Sequence, residues 1–439
     1  MISTRENPAI VIGGGIAGLM AARTLEQQGR DYLLLERCPT LGGLTRTVEV
    51  GEFCFDYTGH FLHLSRYSTP EDVPFAGLRN DDWIQVARRS ACFVEGTFVT
   101  APIQYNLGEL PPRILAECID SYEKRPANGA HGSFRDYIVN GFGERLADLF
   151  LIPQNEKTMA ISLDRLSHAA VRRFFPAPDE KLVRNGMQPG HREVMGYNAN
   201  FWYPRVGGIA HLVHGLSNGA TRCRLNQDVA SFDLNARTLV TSSGEMHRWS
   251  ALFPSMPLKD LCRLTRDEEL AAAASELSHS STISFNIGVR GALRPEFRDL
   301  HWIYVPDREI PFYRVGFYSN ISKGACSPGY SAFYVEVGVP PEEVNRVDLV
   351  KELQPEVLRW LERLGWIESK DVVCVVTHTI RCAYVHHTAD RDRLVRSILD
   401  RLAQYDVFPI GRYGLWDYTS MEDSMESGHA AVTRWTGCN

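Results

Sequence analysis

The first apolar segment of the chain is short and is interrupted by glycines. The apolar positions 10–12 give way to glycines at 13–15, and apolar residues then return with helical spacing as far as Leu25. A second short apolar segment, 33–35, ends in Glu36. Short apolar segments on either side of a helical repeat are typical of parallel strands joined by a helix. The pattern therefore predicts one βαβ unit.

The glycines of this unit have the spacing of a dinucleotide-binding turn. Gly13 allows the tight turn, Gly15 the close approach of backbone to a pyrophosphate, and Gly18 the close packing of helix on strand. The first helical turn presents unpaired N–H groups and a positive dipole end to such an anion. Glu36 stands where an acid accepts a hydrogen bond from a ribose 2′-hydroxyl. The alternative is a glycine-rich turn that binds nothing.

Periodicity in the next part of the chain predicts a hairpin followed by helices. Alternation from Trp83 to Thr100 predicts two strands that turn at Gly96. Apolar spacing of 3.6 residues predicts helices as far as Arg173, interrupted by a polar loop over 124–132. The stretch after the hairpin is therefore expected to be mainly helical.

The second half of the chain alternates more often between apolar and polar positions. Two strands around a turn at Gly244 are predicted within 231–248. Strands of a second sheet are predicted over 281–289 and 331–337, and a charged helix is predicted over 391–404. This half is therefore expected to contribute most of the sheet structure.

Length and composition fit an ordinary globular protein. The 439 residues are 44% hydrophobic and 23% charged, which allows two or three domains. The net charge of −6 gives no electrostatic reason to expect nucleic acid or an anionic membrane. An anionic substrate would have to be held by a few local arginines. No apolar run is long enough to span a bilayer, and the first one is expected to be a buried strand, not a signal peptide.

The cysteines indicate a reducing environment. The chain has 10 of them, scattered, with no C-x-x-C pair and no histidine at zinc-finger spacing. This usage is typical of small core residues and not of a disulfide framework or a metal site. We therefore expect a cytoplasmic location and no metal.

A second pair of glycines, Gly42 and Gly43, is followed by Arg46. The glycines let backbone approach a large cofactor, and the arginine can lie against its phosphates or ring. This run resembles the second signature of the flavoprotein superfamily that includes amine oxidases, protoporphyrinogen oxidases and UDP-galactopyranose mutases. The resemblance implies that the dinucleotide is FAD, and an ordinary loop is the alternative.

The segment from Phe55 to His63 resembles the part of these proteins that passes against the flavin. Its Gly-His pair, which ends at His60, resembles the mutase branch, in which a histidine sits over the isoalloxazine and its loop responds to redox state. Thr58 stands where relatives commonly have glycine, which puts that loop flexibility in question. The alternative for His60 is a histidine that only forms hydrogen bonds within the loop, and this is what we expect of His63.

Three further segments resemble the substrate region of the mutases. Residues 102–106 resemble the Pro-x-Gln-x-Asn segment that opens a helical substrate domain. Asn155 and Lys157 match a Tyr-Asn-x-Lys-Val-Trp run, in which Met159 replaces the usual tryptophan. Residues 201–208 resemble a Tyr-Pro-x-x-Gly-Gly element near the flavin. Whether Asn155 contacts substrate or only supports a turn remains open.

Two later segments resemble the mutases, and amine oxidases lack the first of them. Residues 304–320 resemble a mutase run whose arginine, here Arg314, clamps the substrate diphosphate. A planar guanidinium bonds phosphate bidentately and stays charged, and a surface ion pair is the alternative. Residues 411–418 resemble the run that supplies the second diphosphate arginine, Arg412, and a nearby tyrosine, Tyr418.

The last helix and one departure complete the resemblance. Ser420 is a candidate N-cap, and in relatives this helix start aims N–H groups at the pyrimidine end of the flavin, which suits an anionic reduced ring. After Tyr384, relatives continue with proline, whereas this chain has His386 and His387. Contact of either imidazole with a sugar hydroxyl and simple loop hydrogen bonds remain equally open.

The resemblance covers nearly the whole chain and implies an α/β fold. A Rossmann-like FAD-binding domain with discontinuous segments is expected over 1–100, 190–265 and 365–439. A helical substrate domain is expected over 101–189, and an antiparallel β-sheet domain over 266–364.

The resemblance also implies site residues. Catalytic roles fall on His60, Arg314 and Arg412. Substrate-binding roles fall on Gln104, Asn155, Tyr304, Arg314, Tyr384, Arg412 and Tyr418. Cofactor-binding roles fall on Gly13, Gly15, Ile16, Ala17, Gly18, Glu36, Arg37, Gly43, Leu44, Thr45, Arg46, His60, Phe61, Val229, Gly411, Arg412, Met421 and Ser424.

The implied function is an FAD-dependent nucleotide-sugar mutase that interconverts pyranose and furanose forms for polysaccharide or glycoconjugate biosynthesis. In that family N5 of the reduced flavin attacks the anomeric carbon while arginines hold the diphosphate, and NAD(P)H could serve as reductant. A small nucleotide sugar is the expected partner, without nucleic acid or membrane insertion; an oligomer is compatible. Because the N-terminal motifs are shared by the superfamily, an FAD-dependent oxidase or desaturase is the alternative, ahead of a non-catalytic flavin-binding protein.

Overall fold

The computed structural model describes residues 7–74, 76–126, 132–168, 175, 178–196 and 199–437. Its strands, in chain order, are β1 (Ala9–Ile12), β2 (Tyr32–Leu35), β3 (Thr47–Val50), β4 (Phe53–Asp56), β5 (Trp83–Ala87), β6 (Ser90–Val94), β7 (Thr97–Thr100), β8 (Asn200–Pro204), β9 (Cys223–Arg224), β10 (Val229–Asp233), β11 (Thr238–Thr241), β12 (Met246–Arg248), β13 (Leu252–Pro254), β14 (His279–Arg290), β15 (Trp302–Tyr304), β16 (Arg314–Phe317), β17 (Tyr330–Val339) and β18 (Val372–Val385).

The helices lie between these strands and at the C-terminal end. They are α1 (Ile16–Gln27), α2 (Pro112–Glu123), α3 (Phe134–Phe142), α4 (Glu144–Leu146), α5 (Ile152–Met159), α6 (Glu180–Gly186), α7 (Ala210–Ser217), α8 (Leu258–Thr265), α9 (Glu268–Ser275), α10 (Leu349–Arg363), α11 (Arg391–Ala403), α12 (Gly411–Gly414) and α13 (Met421–Gly437). A π-helical turn, Ala147–Leu151, joins α4 to α5. The predicted charged helix over 391–404 is confirmed to within one residue by α11.

The predicted βαβ unit forms the centre of a parallel sheet. Its strand order is β13-β1-β2-β9. Every residue of β1 is buried, which explains its unbroken Ile-Val-Ile run. Helix α1 follows the glycine turn directly. A Cβ at Gly18 would lie 1.9 Å from the carbonyl oxygen of Gly13, so helix and turn can approach only with glycine there.

The second sheet is larger and mostly antiparallel. Among the described residues its order is β18-β14-β17-β16-β15-β6-β7, and only the β15–β6 pair is parallel. Strands β14 and β17 confirm the predictions over 281–289 and 331–337 and extend them. The sheet also takes β6, β7 and β18 from outside 266–364, so that range does not delimit it.

The hairpin predicted from Trp83 to Thr100 is wrong in its extent. Only β6 and β7 form it, with Gly96 in the turn at φ +75°. Strand β5 pairs instead with the distant β8. Alternation indicates strands but not their partners, so it did not reveal that β5 pairs with a strand from a distant part of the chain.

The prediction of two strands around Gly244 is also incomplete. Three short strands form this sheet, in the order β10-β11-β12, and Gly244 turns between β11 and β12 at φ +88°. The tight turn after β10 contains Arg237 at φ +52°, which carries no glycine signal in the sequence.

The predicted helical stretch is present over its described part. Helices α2 to α6 pack around an apolar core that includes Tyr122, Phe134 and Phe142. Its predicted end at Arg173, and residues 127–131 of the predicted loop, lie outside the described residues. In the part of the chain that the structure describes, no helix is both long and apolar enough to cross a bilayer.

Candidate functional site

The predicted cofactor acid, Glu36, follows β2 and binds the glycine turn after β1. The carboxylate of Glu36 accepts hydrogen bonds from the backbone N–H groups of Gly14 (2.6 Å) and Cys38 (2.7 Å) and is 6% exposed. A carboxylate can accept more bonds than these two, so Glu36 keeps capacity for a hydroxyl donor. Ile16 and Ala17 are buried at the start of α1.

The two glycine turns meet backbone to backbone. Gly42 N–H donates to Gly14 (2.7 Å), and a Cβ at Gly43 would lie 3.1 Å from the Cα of Gly15. Thr45 and Arg46 hold the second turn through bonds to its carbonyls, at 2.6 and 2.7 Å. Leu44 stands between Gly43 and Thr45 in the chain, and Arg37 follows Glu36 directly. Bare backbone at this junction is what a pyrophosphate needs for close approach.

Arg46 is the outer layer of a stack that the sequence did not reveal. Its guanidinium lies 4.4 Å from the ring centre of Tyr57. The other face of Tyr57 stacks on His378 of β18, with ring centres 3.9 Å apart. Burial, assisted by Arg46, lowers the pKa of His378 to about 4, so the imidazole is neutral at neutral pH. The stack ties the cofactor turn to the large sheet.

His60 lies between the two predicted arginines. Burial and, to a smaller extent, the positive charges of Arg412 and Arg314 lower its pKa to about 4. Its Nδ1 is buried and finds no hydrogen-bond partner among the described residues. A neutral imidazole with a free ring nitrogen can donate to or accept from a ligand. The next residue, Phe61, stacks on Trp302 at 5.4 Å.

Arg314 is held by a buried carboxylate. Its Nε donates to Glu336 of β17 at 2.5 Å, and Glu336 is 1% exposed. The hydroxyl of Thr58 donates to the other oxygen of Glu336. Desolvation opposes the charge of Arg314, but Glu336, helped by Tyr334 and Tyr384, holds its pKa well above the ordinary value. Thr58, two residues before His60, therefore ties the His60 loop to this ion pair.

Arg412 lies in a cage of tyrosines. Its guanidinium is 4.4 Å from the ring centre of Tyr418, 5.3 Å from Tyr384 and 5.8 Å from Tyr413. Two of its nitrogens donate to backbone carbonyls at 3.2 and 3.0 Å, and its buried Nε has no partner within the described ranges. No carboxylate of those ranges forms an ion pair with it, so its charge is uncompensated.

The remaining predicted substrate residues divide into two groups. Tyr304 pairs directly with Arg314 across β15 and β16, and Tyr384 lies 5.6 Å from Tyr418, ring centre to ring centre. These residues join the two arginines and His60 in one cluster. Asn155 instead donates to the carbonyl of Leu151 at 2.7 Å, in the π-helical turn that precedes its helix. Gln104, on the short turn Ile103–Tyr105, is 3% exposed.

The cofactor residues near the C-terminal end form a helix start. The hydroxyl of Ser420 accepts a hydrogen bond from the backbone N–H of Asp423 (3.2 Å) at the start of α13, which confirms the predicted N-cap. The hydroxyl of Ser424 donates back to Ser420 (2.9 Å) beside Met421. Gly411 has φ +72° and packs against the start of α1.

Two other predicted positions have structural surroundings. Val229 is a buried residue at the start of β10. Both ring nitrogens of His386 lie within bonding distance of protein atoms, the hydroxyl of Ser278 at 3.0 Å and the carbonyl of Met159 at 2.8 Å. His386 is thus a loop histidine, whereas Nε2 of His387 lies 3.3 Å from Asp417 without a hydrogen bond.

Sequence reasoning missed Glu336, Tyr57 and His378. Glu336 did carry a signal, because it is a single charge inside the apolar strand Tyr330–Val339, where both faces are expected to be buried. The stacking of Tyr57 on His378 had none.

The donors present fit a dinucleotide cofactor. Gly18, Gly42 and Gly43 lie where a Cβ would clash with backbone or a neighbouring side chain, and the glycine turns face the helix start of α1. His60 and Arg412, which lie close enough to interact electrostatically, each keep one buried nitrogen without a partner among the described residues. Across the described part of the chain, no group of His, Cys, Asp and Glu residues could hold a metal ion.

One family model and several curated proteins match short stretches of the chain. The family described as NAD(P)-binding Rossmann-like domain matches residues 11–71. Flavin-containing monooxygenase FMO GS-OX-like 7 of Arabidopsis thaliana is 39% identical over 69 residues, 15% of this chain and 15% of its own length. Pseudooxynicotine dehydrogenase of Pseudomonas sp is 33% identical over 85 residues, 19% of this chain and 17% of its own length. The chain thus matches only a small part of these relatives.

Solved structures match the chain over its whole length. Two oxidases share the fold: a putative protoporphyrinogen oxidase from Exiguobacterium sp. 255-15 (TM-score 0.75, 17% identity, 99% of both chains) and cyclohexylamine oxidase from Brevibacterium oxydans IH-35A (TM-score 0.68, 14% identity, 98% of both chains). Reduced UDP-galactopyranose mutase superposes with a TM-score of 0.91 at 26% identity, covering 99% of this chain and 94% of that one. The chain therefore resembles UDP-galactopyranose mutase over nearly its whole length and shares its fold with these two oxidases.

Proposed function

We propose that this chain is an FAD-dependent mutase that interconverts the pyranose and furanose forms of a nucleotide sugar. The observation that carries the proposal is the uncompensated charge of Arg412 beside the Glu336-held Arg314. Buried charges are normally paired, so a guanidinium that has no carboxylate partner among the described residues is best explained by an anionic ligand. A nucleotide diphosphate supplies such an anion.

The two arginines would hold the diphosphate through the reaction. A guanidinium bonds phosphate oxygens bidentately and stays charged, so Arg412 can keep a departing diphosphate within reach of the sugar. The rings of Tyr384 and Tyr418 flank the guanidinium of Arg412 and would shield it in part from water. Retaining the leaving group makes its return an intramolecular step, which is where such positioning gains most.

The cofactor would lie on the two glycine turns. Gly15 and Gly43 would receive its pyrophosphate, Glu36 its ribose, and His60 its ring. When bound, FAD in its reduced form would supply a nucleophilic nitrogen that the protein itself lacks at this site. Cysteine is a poor substitute, since burial raises the pKa of the Cys382 thiol, near Arg412, to about 12. NAD(P)H as reductant, a cytoplasmic location and the three domain ranges remain predictions.

The test compares reduced holoenzyme with its arginine variants. Dithionite-reduced protein is incubated with UDP-galactose and related nucleotide sugars, and pyranose and furanose forms are separated by chromatography. We expect interconversion by the wild type and a loss of about 10- to 100-fold in kcat/KM for Arg412→Lys, because bidentate bonds to charged groups are lost. Arg396→Lys, on the exposed face of α11, is the matched control. Absence of turnover with every nucleotide sugar would overturn the proposal.

The second candidate is a flavin oxidase or desaturase that acts on an amine or alicyclic substrate. It is favoured by the shared fold of the two oxidases and by the match of an 85-residue stretch to pseudooxynicotine dehydrogenase. It predicts bleaching of the flavin by substrate and peroxide under air. Activity that survives both Arg314→Ala and Arg412→Ala would favour it over the mutase.

A further inference from the structure

Lys157 joins helix α5 to the large sheet. Its ammonium donates three hydrogen bonds, to the backbone carbonyls of Val305 (2.7 Å), Asp307 (2.8 Å) and Phe312 (2.6 Å). A lysine ammonium has three N–H donors and no acceptor, so its whole donor capacity is spent on backbone. All three acceptors belong to one connection, the loop between β15 and β16.

That loop separates two residues of the site. Tyr304 ends β15, Arg314 begins β16, and the two are paired across the strands. The loop closes with one bond of its own, from Val305 N–H to the carbonyl of Tyr313 (2.9 Å). Polar backbone groups that the loop leaves unpaired must find partners elsewhere, and Lys157 supplies three of them.

The same helix contacts the strand that carries the counter-charge. Gln154, one turn earlier on α5, donates to the carbonyl of Tyr313 at 3.0 Å. A Cβ at Gly338 of β17 would lie 2.0 Å from the carbonyl oxygen of Lys157, so the helix end rests directly on this strand. Glu336, two residues earlier on β17, binds Arg314. Helix α5 therefore contacts both the loop that precedes Arg314 and the strand that carries Glu336.

We propose that Lys157 is a positioning residue that fixes the guanidinium of Arg314 by clamping the β15–β16 loop. The inference rests on the proposed function in one respect, that Arg314 meets a diphosphate. Lys157 itself spends its donors on the loop and makes no contact with the arginine. Without these three hydrogen bonds the loop can move, and Arg314 moves with it. Fewer of the N–H groups of its guanidinium then reach the anion at one time.

Burial makes the clamp sensitive to pH. It lowers the pKa of Lys157 to about 7, while Asp307 raises and Arg308 lowers that pKa more weakly. Arg308 in turn pairs with Glu156, the neighbour of Lys157, at 2.8 Å. Below about pH 7 the ammonium donates three bonds; above it the neutral amine donates two at most. The clamp is therefore complete at lower pH and weakens as pH rises through about 7.

The first test measures the loop itself in the holoenzyme. Amide hydrogen exchange of the peptide 302–317 is compared between wild type, Lys157→Met and Lys124→Met. Lys124 is an exposed lysine of the helical part and pairs only with Asp120 among the described residues, so it is the matched control. We expect faster exchange of this peptide in Lys157→Met alone. Equal exchange in the three proteins would overturn the clamp.

The second test measures binding of UDP as the anionic probe by calorimetry at several pH values. We expect Lys157→Met to weaken binding by about tenfold at pH 6, with the gap to wild type narrowing above pH 7. Should Lys157→Met not fold, Lys157→Gln, which keeps two donors, takes its place. Equal affinities despite faster loop exchange would overturn the positioning role. If wild type binds no UDP, the mutase proposal fails, and the exchange experiment alone supports or overturns the clamp.

Discussion

The two arginines of the site differ in how their charges are balanced. Arg314 shares its charge with Glu336, which also accepts from Thr58, whereas Arg412 has tyrosine rings and backbone carbonyls around it. An anion that binds between them meets one guanidinium without a carboxylate partner and one that Glu336 partly neutralises. The carboxylate of Glu336 therefore reduces the repulsion between the two arginines and also reduces their attraction for a diphosphate.

Glu336→Gln tests this balance. The amide keeps the shape but removes the charge, so Arg314 is left buried without a counter-ion, and we expect the free energy of unfolding to fall by about 3 kcal/mol. Saturating UDP should restore part of the loss, so its stabilising effect should be larger in the variant than in wild type. Chemical denaturation with and without UDP measures both.

The control for Glu336→Gln is Thr58→Val. This change removes one hydrogen bond to Glu336 and leaves the ion pair, so a loss of only about 1 kcal/mol is expected. Equal losses in the two variants would contradict the assignment of the main effect to charge.

At the scale of elements, the cofactor domain depends on a close crossing of two helices. Helix α13 lies across α1, and a Cβ at Gly428 would lie 2.3 Å from the carbonyl oxygen of Ala17. The backbone of α1 cannot yield there without moving the glycine turn at its start. The crossing therefore couples the C-terminal helix to the predicted pyrophosphate position.

Two glycines of the same helix make a matched comparison. Gly428→Ala should destabilise the protein by about 1–3 kcal/mol, because the added methyl group meets fixed backbone. Gly437→Ala should be neutral or slightly stabilising, since nothing lies within 4 Å of the new carbon and alanine favours the helix. The midpoints of thermal unfolding of the two variants test this prediction. Equal midpoints would contradict it and show that α13 can shift away from α1.

At the scale of the whole molecule, burial keeps many imidazoles neutral. It lowers the pKa of six described histidines to about 4: His60, His63, His301, His378, His386 and His387. Asp56 is the opposite case, because burial raises its pKa to about 6 despite bonds from Thr47, Tyr203 and Ile209.

These shifts predict loss of stability in mild acid. Between pH 6.5 and 4 the unfolded chain binds protons at histidines that stay neutral in the folded chain, so the free energy of unfolding falls as pH falls. Asp56 acts against this, because its folded form takes up a proton first, but one group opposes six. Urea unfolding from pH 7.5 to 4.5 checks the direction, and His386→Gln should flatten the slope while His214→Gln, on the exposed side of α7, should not. A stability that stays constant over this range would contradict the prediction.

The sequence by itself determined the local units of this protein. The βαβ unit, the two glycine turns, β14, β17, α11 and the Ser420 cap follow from residue spacing, because each is formed by neighbours in the chain. The motif contexts also singled out Arg314 and Arg412 as a pair.

Only the tertiary structure decided what those units meet. Strand β5 pairs with β8, Thr58 reaches Glu336, and Lys157 clamps the loop before Arg314. Each contact joins residues far apart in sequence, so spacing carries no trace of it. A buried charge shows its partner only when the chain has folded, because desolvation forces the pairing and the fold selects which group supplies it.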